Sequence, residues 1–293
     1  MTDLVIRPLV AGEENVFESM PDPLPAVPKN GYADGLASGG YRPELTWVAL
    51  RGGRVVGRAA WALPPGALGR AWLDRFELRA EPDVGAALLR AAHAALGGPA
   101  LYYAAVPPDW RHEPAAAPPM AAARLAGMVE QGERLRFVRT GTGAPVPVPP
   151  GRYAFRPATD PAEITTLVAR IAAPQVLTGT ETARAVAGVD LATAPLSWLS
   201  AAPQSWRVAL RDGEPIGLAA AAGDACYPMI AYLGLIDPAA LDGSLADVVA
   251  VLLAGGAREV VADVDACRTG VVAGLERAGF HPIRSRITFT PVD

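Results

Sequence analysis

The sequence predicts an α/β (α+β) protein built from two tandem domains, each a mixed, mostly antiparallel sheet flanked by helices. The chain of 293 residues is about twice the length of an ordinary domain. One segment recurs at an offset of 160 residues, and each copy lies among alternating β-like and helix-like stretches. Because 51% of the residues are hydrophobic and only 19% are charged, the chain can build packed cores and is not a disordered polymer.

The repeat centres on a predicted β-hairpin. Residues 48–60 read VALRGGRVVGRAA and residues 208–220 read VALRDGEPIGLAA, with eight of thirteen positions identical. Each copy is a strand, a Gly-Gly or Asp-Gly turn and a second strand, which is a strong hairpin signal. Shorter matches keep the same order along both halves: Ile6-Arg7-Pro8 with Phe155-Arg156-Pro157, Gly97-Gly98 with Gly255-Gly256, and Ala126-Gly127 with Ala278-Gly279. We therefore expect the halves to superpose.

A proline-rich segment separates the two halves. Residues 140–151 read TGTGAPVPVPPG, in which proline removes the backbone donors that a helix or a central strand needs. The composition indicates an extended linker. The predicted domains are therefore 1–139 and 152–293.

The elements of the second half follow from periodicity and from helix-end signals. Asp160 followed by Pro161 is typical of a helix start, and Gly255-Gly256 is typical of a helix end. The predicted strands are 153–157, 206–211, 215–222, 229–236, 258–264 and 285–290, with helices at 160–173, 243–254 and 269–278. In the first half the predicted strands are 46–51, 54–62, 71–79 and 100–106, with helices at 83–96 and 119–127.

Composition also excludes several classes of protein. The net charge of −4 argues against a nucleic-acid binder, and no run of 18 apolar residues predicts a membrane span. No signal peptide is visible, and Cys226 and Cys267 are too few for a disulfide framework, so we expect a cytoplasmic protein with buried cysteines. Three scattered histidines predict no metal site. The oligomeric state is left open.

The order of elements in the second half resembles that of the GCN5-related N-acetyltransferase (GNAT) superfamily. The resemblance rests on residues 232–280, which begin YLGLIDPAALDGSLADVV and end at Phe280, and it covers both halves, as in the tandem proteins common in actinobacteria. It implies that Leu233-Gly234-Leu235-Ile236 is the strand whose backbone pairs with the pantetheine arm of acetyl-CoA (coenzyme A). It also implies that the turn Asp242-Gly243-Ser244 and Leu245 present backbone N–H groups to the pyrophosphate. A helix N-terminus suits a phosphate because its N–H groups are unpaired.

The sequence also departs from the family pattern. Ala239-Ala240-Leu241 stands where the family loop has a basic residue, and Leu275 stands where a helix tyrosine is usual. Arg268 is a substitute phosphate ligand or a solvated helix-start arginine. In the first half Glu81 and Asp83 lie where phosphates would bind. We therefore expect acyl-CoA in the second half and a structural or substrate-shaping role for the first.

Two side chains of the second half are candidates for catalysis. Tyr232 would line the acceptor cavity or act as an acid, or else be a core tyrosine. Asp263 and Asp265 share one face of a strand, and Asp265 at its carboxyl end is the better base or amine anchor, with a cap or turn role as the alternative. In the first half Tyr32, Tyr41 and Trp47 either shape a pocket or pack their irregular segment onto the domain.

The function implied by the resemblance is an acyl-CoA-dependent N-acyltransferase, with acetyl-CoA as co-substrate and a small-molecule amine as acceptor. Acyl transfer needs a base and an oxyanion donor, but no metal. Two alternatives remain open: a catalytically degenerate protein that binds or senses a ligand, and other CoA-thioester chemistry such as hydroxyl acylation or hydrolysis.

Overall fold

The computed structural model describes residues 4–29, 31–141, 153–223 and 227–292. Contacts divide the chain into two compact units. Unit 1 comprises Met1–Glu133 together with Arg284–Asp293, and unit 2 comprises Arg134–Ile283.

Unit 1 is a mixed sheet with helices packed against it. Its strands follow the order β1-β2-β3-β4-β5-β13, in which β4–β5 is parallel and the other neighbours pair antiparallel. The strands are β1 (Leu4–Pro8), β2 (Thr46–Arg51), β3 (Arg54–Ala62), β4 (Trp72–Leu78), β5 (Tyr102–Val106) and β13 (His281–Pro291). The helices are α1 (Glu14–Glu18), α2 (Tyr32–Ala37), α3 (Pro82–Ala95) and α4 (Ala117–Leu125).

Unit 2 repeats this arrangement. Its strands follow the order β6-β12-β11-β10-β9-β7, in which β11–β12 is parallel, and the short strand β8 pairs with β11. The strands are β6 (Met128–Thr140), β7 (Ala154–Pro157), β8 (Val176–Leu177), β9 (Trp206–Arg211), β10 (Glu214–Ala222), β11 (Met229–Leu235) and β12 (Glu259–Asp265). The helices are α5 (Pro161–Arg170), α6 (Thr180–Ala187), α7 (Leu241–Ala254) and α8 (Thr269–Arg277). The predicted α/β class is confirmed.

The two hairpins of the repeat occupy equivalent positions. Ala49 pairs with Gly57 in unit 1, and Ala209 pairs with Gly217 in unit 2. Both glycines face a leucine of the third strand: a Cβ on Gly57 would lie 3.0 Å from Leu78 Cδ1, and one on Gly217 would lie 2.5 Å from Leu235 Cδ2. The same close approach therefore explains glycine at both positions.

Each unit takes one strand from the other half of the sequence, which differs from the predicted ranges 1–139 and 152–293. The part of β13 from Ser285 onward pairs antiparallel with β5 of unit 1. The part of β6 from Arg134 onward pairs with β12 of unit 2. Most of the predicted linker 140–151 lies outside the described residues.

Helix ends agree with the sequence signals except at α7. The Asp160 carboxylate caps α5 by accepting the Glu163 N–H at 2.8 Å, as predicted. Residues 242–244 were predicted as a turn, but they lie inside the first turn of α7. The reason is that Asp237 caps a short 3₁₀ turn, accepting the Ala239 N–H at 3.1 Å, which leads directly into the helix.

Other differences concern single features. Cys267 is exposed, whereas burial was expected, because it lies in the turn between β12 and α8. Cys226 lies outside the described residues. No helix in the described ranges has the length and apolar character needed to span a bilayer.

Candidate functional site

Each unit contains a place where two parallel neighbouring strands separate, which we call its wedge. In unit 1, β4 and β5 pair at Leu73 and Tyr102 and then diverge. In unit 2, β11 and β12 pair at Met229 and Val261 and then diverge. A wedge leaves backbone N–H and C=O groups facing a gap, and these groups need partners.

The wedge of unit 2 is filled by residues 175–178 of the same chain, which we call the strap. Val176 and Leu177 form β8 and pair antiparallel with Leu233 and Tyr232. The Gln175 N–H donates to the Leu233 carbonyl at 2.6 Å. The backbone edge that the family resemblance assigns to pantetheine is therefore occupied by the protein itself.

Side chains fix the strap at both ends. The Gln175 amide pairs with the backbone of Leu235: its Oε1 accepts the N–H at 2.7 Å, and its Nε2 lies 3.5 Å from the carbonyl oxygen. The buried Thr178 hydroxyl donates to the Ile230 carbonyl at 2.6 Å and accepts the Asp263 N–H at 3.0 Å. Thr178 thus bridges β11 and β12.

The wedge of unit 1 has no counterpart of the strap among the described residues. The Arg79 N–H donates to the Val56 carbonyl at 2.8 Å, and amide directions alternate along a strand. The backbone groups of Phe76 and Leu78 therefore point away from β3 and into the wedge. Among the described residues, no strand pairs with this edge beyond Leu73.

A small cleft with a volume of about 30 Å³ lies at this edge of β4. From Arg75 to Leu78 the side chains alternate between the two faces of β4, so Phe76 and Leu78 point to one side and Arg75 and Glu77 to the other. Phe76 packs toward α3, where a Cβ on Gly85 would lie 3.0 Å from its ring. The residues that line the cleft divide accordingly, with Leu24, Ala104, Ala116 and Met120 apolar and Lys29, Asp74, Arg75 and Glu77 charged.

Glu77 is the centre of the charged side of the cleft. Its buried carboxylate receives hydrogen bonds from Arg58, from Arg75 Nη2 at 2.9 Å and from Lys29 Nζ at 3.3 Å. Burial by itself would raise the pKa of Glu77, but the positive charges of Arg75, Arg58 and Lys29 outweigh it and lower that pKa. Glu77 is therefore an anion that holds cations in place.

Asp74 forms the second anionic position. It lines the same cleft and accepts the Tyr41 hydroxyl at 2.5 Å. Burial and the Asp74 charge both raise the pKa of Tyr41, so the phenol stays protonated and donates. None of the three aromatic residues noted in the sequence lines the cleft: Tyr41 reaches it only through Asp74, Tyr32 stacks on Phe17 at 4.1 Å, and Trp47 is buried.

A wider cleft of about 560 Å³ lies in unit 2, beside the start of α7 and of α8. Leu235 and Arg268 line it, as does Gln175, so the strap closes its inner end. Arg268 Nε lies 3.5 Å from the Asp265 carboxylate. Asp265 is half-exposed and also lies 3.6 Å from Arg134.

Asp242 also lines this cleft, but three other residues predicted for phosphate binding are buried in α7. Gly243, Ser244 and Leu245 all lie in the part of the helix packed on the sheet. A Cβ on Gly243 would lie 2.7 Å from Phe155 Cζ, so packing of this ring, not access for an anion, requires glycine. Ile236 follows β11 and its N–H donates to the Ile216 carbonyl at 2.8 Å.

Tyr232 does not reach either cleft. The side chain is fully buried among Trp206, Ile164 and other apolar residues, and burial raises its pKa. An acid role for Tyr232 is therefore not supported. At the equivalent position of unit 1, opposite Ala60, the strand carries Arg75, which does line the cleft.

Sequence reasoning missed the unit 1 cluster because it weighed only Glu81 and Asp83 near the helix start. A usable signal was present. Arg58, Arg75 and Glu77 interrupt strands that are otherwise largely apolar, and charged residues are rarely buried unless they are paired. The strap gave no signal, since two strand residues have no measurable periodicity.

Solved structures with a similar fold identify the fold of this chain. No family model and no curated protein matches the sequence. A GCN5-related N-acetyltransferase from Sphaerobacter thermophilus is 16% identical with a TM-score of 0.61, over 99% of this chain and 97% of that one. A GCN5-related glucosamine N-acetyltransferase region of a fungal GH3 beta-N-acetylglucosaminidase is 14% identical with a TM-score of 0.55, over 99% and 38%. A tandem GNAT protein from the clavulanic acid biosynthesis pathway is 21% identical with a TM-score of 0.48, over 99% and 100%.

The chain therefore has the GNAT fold across both halves, as the resemblance implied. That it is of the actinobacterial tandem type stays a prediction. Within the described ranges, no group of three or more histidine, cysteine or acidic side chains is arranged to hold a metal ion.

Proposed function

We propose that the protein is an acyl-CoA-dependent N-acyltransferase, with acetyl-CoA as co-substrate and a small-molecule amine as acceptor, and that transfer occurs in the wedge of unit 1. The observation that carries the proposal is the open edge of β4 beside a charged cleft, in a protein with the GNAT fold. The sequence had favoured unit 2, but the strap occupies the corresponding edge there.

The residues of unit 1 fit the acyl end of the co-substrate. The backbone groups of Phe76 and Leu78 face the wedge and can pair with an amide-containing arm. An N–H donor at this edge can also stabilise the oxyanion that forms when an amine attacks the thioester. Acyl-CoA supplies the activated acyl group, and the protein supplies position and charge.

The charged side of the cleft suits an amine acceptor. The Asp74 carboxylate can hold an ammonium group and accept its proton, because one oxygen already receives the Tyr41 hydroxyl and the other does not. Glu77 is a poor base because three cations hold it as an anion. It acts as a positioning residue for Arg75 and Lys29.

The phosphate end of the co-substrate fits less well, and this favours a second candidate function. The helix α3 begins at Pro82, which has no N–H, and Glu81 and Asp83 flank it. Arg51 pairs with Glu81 at 3.0 Å and offsets part of this charge. A degenerate unit that binds a smaller ligand without turnover would show these features.

Two measurements on the whole chain test the proposal. Calorimetry with acetyl-CoA should give one site per chain, and thiol release with a panel of amines should show turnover. Asp74→Asn should reduce kcat at least about tenfold, with acetyl-CoA affinity retained, because it removes a proton acceptor. The matched variant Asp265→Asn in unit 2 should leave both quantities unchanged.

Each result that differs from these expectations supports a different function or a different site. Binding without turnover by any amine supports the ligand-binding alternative, and thiol release without an amine indicates hydrolysis. Loss of turnover in Asp265→Asn, with Asp74→Asn active, would return the site to unit 2. No binding of acetyl-CoA overturns the proposal.

A further inference from the structure

Lys29 is the only lysine of the chain, and its side chain lines the cleft of unit 1. We propose that Lys29 Nζ accepts an acyl group from acyl-CoA bound in this wedge, so that the protein acylates itself at this one side chain. The inference rests on the proposed function, because it requires the thioester to lie at the open edge of β4.

The position of the amine carries the inference. Nζ lies 2.8 and 2.9 Å from the two oxygens of Asp22 and 3.3 Å from Glu77 Oε1. Glu77 is on β4, the strand whose free edge faces the wedge. The side chain is 14% exposed, so the two carboxylates hold the amine inside the cleft and away from bulk solvent.

The residue type gives a second, independent argument. Of the 26 lysines and arginines in the chain, all except Lys29 are arginines. Arginine would satisfy the ion pairs with Asp22 and Glu77 equally well, as Arg58 and Arg75 do on the same carboxylate. Only lysine can lose its proton and act as a nucleophile at ordinary pH. The chain thus keeps its single nucleophilic side-chain amine in the cleft.

The reaction balances without any further reagent. The Lys29 ammonium gives one proton to water, and the nitrogen lone pair attacks the thioester carbonyl carbon. A C–N bond forms, the C–S bond breaks and the nitrogen loses a second proton. CoA leaves as the thiolate and takes up this second proton, so one proton is released to solvent overall. The product is a neutral Nε-acyl-lysine, an amide that does not transfer its acyl group further, so the reaction stops at one acyl group per chain.

Acylation would change the cleft as well as the lysine. It removes one of the three cations that surround Glu77 and fills the space in which an acceptor amine would bind. The modified protein should therefore turn over external amines more slowly than the unmodified protein. Self-acylation would limit activity when acyl-CoA is abundant and acceptor is scarce.

Mass spectrometry tests the inference directly. The whole chain is incubated with acetyl-CoA without an amine, and peptide mapping separates Lys29 from the terminal amine. We expect one acetyl group on Lys29, formed at least about tenfold faster in the folded chain than in chain unfolded by guanidinium at the same pH, because the fold aligns amine and thioester. Lys29→Arg should gain none at this position, and thermal unfolding shows whether that variant is folded.

The outcomes separate this inference from the proposed function. Acetyl-CoA binding or amine turnover without a modified Lys29 overturns self-acylation and leaves the proposed function standing. Equal labelling of folded and unfolded chain shows chemical acetylation and overturns the inference as well. Absence of acetyl-CoA binding overturns both.

Discussion

The ring of Phe289 stacks on that of Tyr102, with centroids 5.6 Å apart and planes inclined by 20°. Phe289 comes from the end of the sequence and Tyr102 from β5 of unit 1, and the two residues are also paired in the β-sheet register. Both side chains are buried in one core with Phe76. The last strand is therefore part of the packing of unit 1.

Phe289→Ala should destabilise unit 1 rather than unit 2. Truncating a buried phenylalanine costs about 3–5 kcal/mol, because contacts are lost and a cavity remains. Hydrogen exchange should show loss of protection in β5, with β11 and β12 unchanged. Phe280→Ala is the matched control, since Phe280 is also buried but belongs to the core of unit 2. Equal effects of both variants on the two units would contradict the division of the chain.

Thr178→Val should weaken the strap of unit 2. Valine keeps the shape of threonine but leaves the Ile230 carbonyl and the Asp263 N–H without their partner. Each unsatisfied buried group costs about 1–3 kcal/mol. Denaturant unfolding should show this loss, whereas Thr165→Val, at an exposed helix position, should change stability little. A neutral Thr178→Val would mean that the bridge between β11 and β12 is not important for stability.

Gly243→Ala should reduce stability through Phe155 and leave acetyl-CoA binding unaffected. Alanine is favoured in a helix by about 1 kcal/mol, but a Cβ 2.7 Å from the ring causes overpacking that costs about 1–3 kcal/mol. In a Phe155→Leu background the clash is absent, so the same substitution should become neutral or stabilising. Thermal unfolding of the four proteins measures this coupling. Weaker acetyl-CoA binding by Gly243→Ala would instead support the phosphate role predicted from the sequence.

Glu163→Gln should lower stability at neutral pH and have less effect in acid. Two hydrogen bonds from Arg156, at 2.9 and 2.6 Å, lower the pKa of Glu163 from 4.5 to about 2. A carboxyl whose pKa is lowered on folding stabilises the native state above pH 4.5, and this contribution is lost as the pH falls through about 2. The difference between wild type and variant in thermal unfolding should therefore shrink over that range. Glu259→Gln, an exposed carboxylate, serves as control; a constant difference down to pH 2 would contradict the assignment.

Local signals in the sequence predicted the repeated elements well. Turn glycines marked the two hairpins, and Asp160 with Pro161 marked the start of α5. The bidentate pair of Arg156 and Glu163 has a counterpart in Arg7 and Glu13, which agrees with the duplication. These features depend on residues close in sequence, so pattern reasoning can find them.

Features that depend on distant residues were not predictable. β6 reads MVEQGERLRFVRT, and its charged residues do not alternate with apolar ones as in an ordinary half-buried strand. All five of these charged residues have specific partners, such as Arg136, which donates two hydrogen bonds of 2.7 Å to Asp263. The exchange of strands and the strap join segments far apart in the chain, so no local pattern contains them. The family motif therefore predicted the acyl-CoA site in unit 2, whereas the wedge without a strap lies in unit 1.

Because unit 1 takes its last strand from the end of the sequence, its sheet cannot finish folding until the whole chain has been synthesised. A ribosome makes the chain from residue 1 onward, so β1 to β5 emerge long before the part of β13 that pairs with β5. Until then β5 presents a row of unpaired backbone groups, a template for pairing with other chains. The cleft that contains Lys29 lies beside this strand, so it reaches its final form only after every strand of unit 2 has been synthesised.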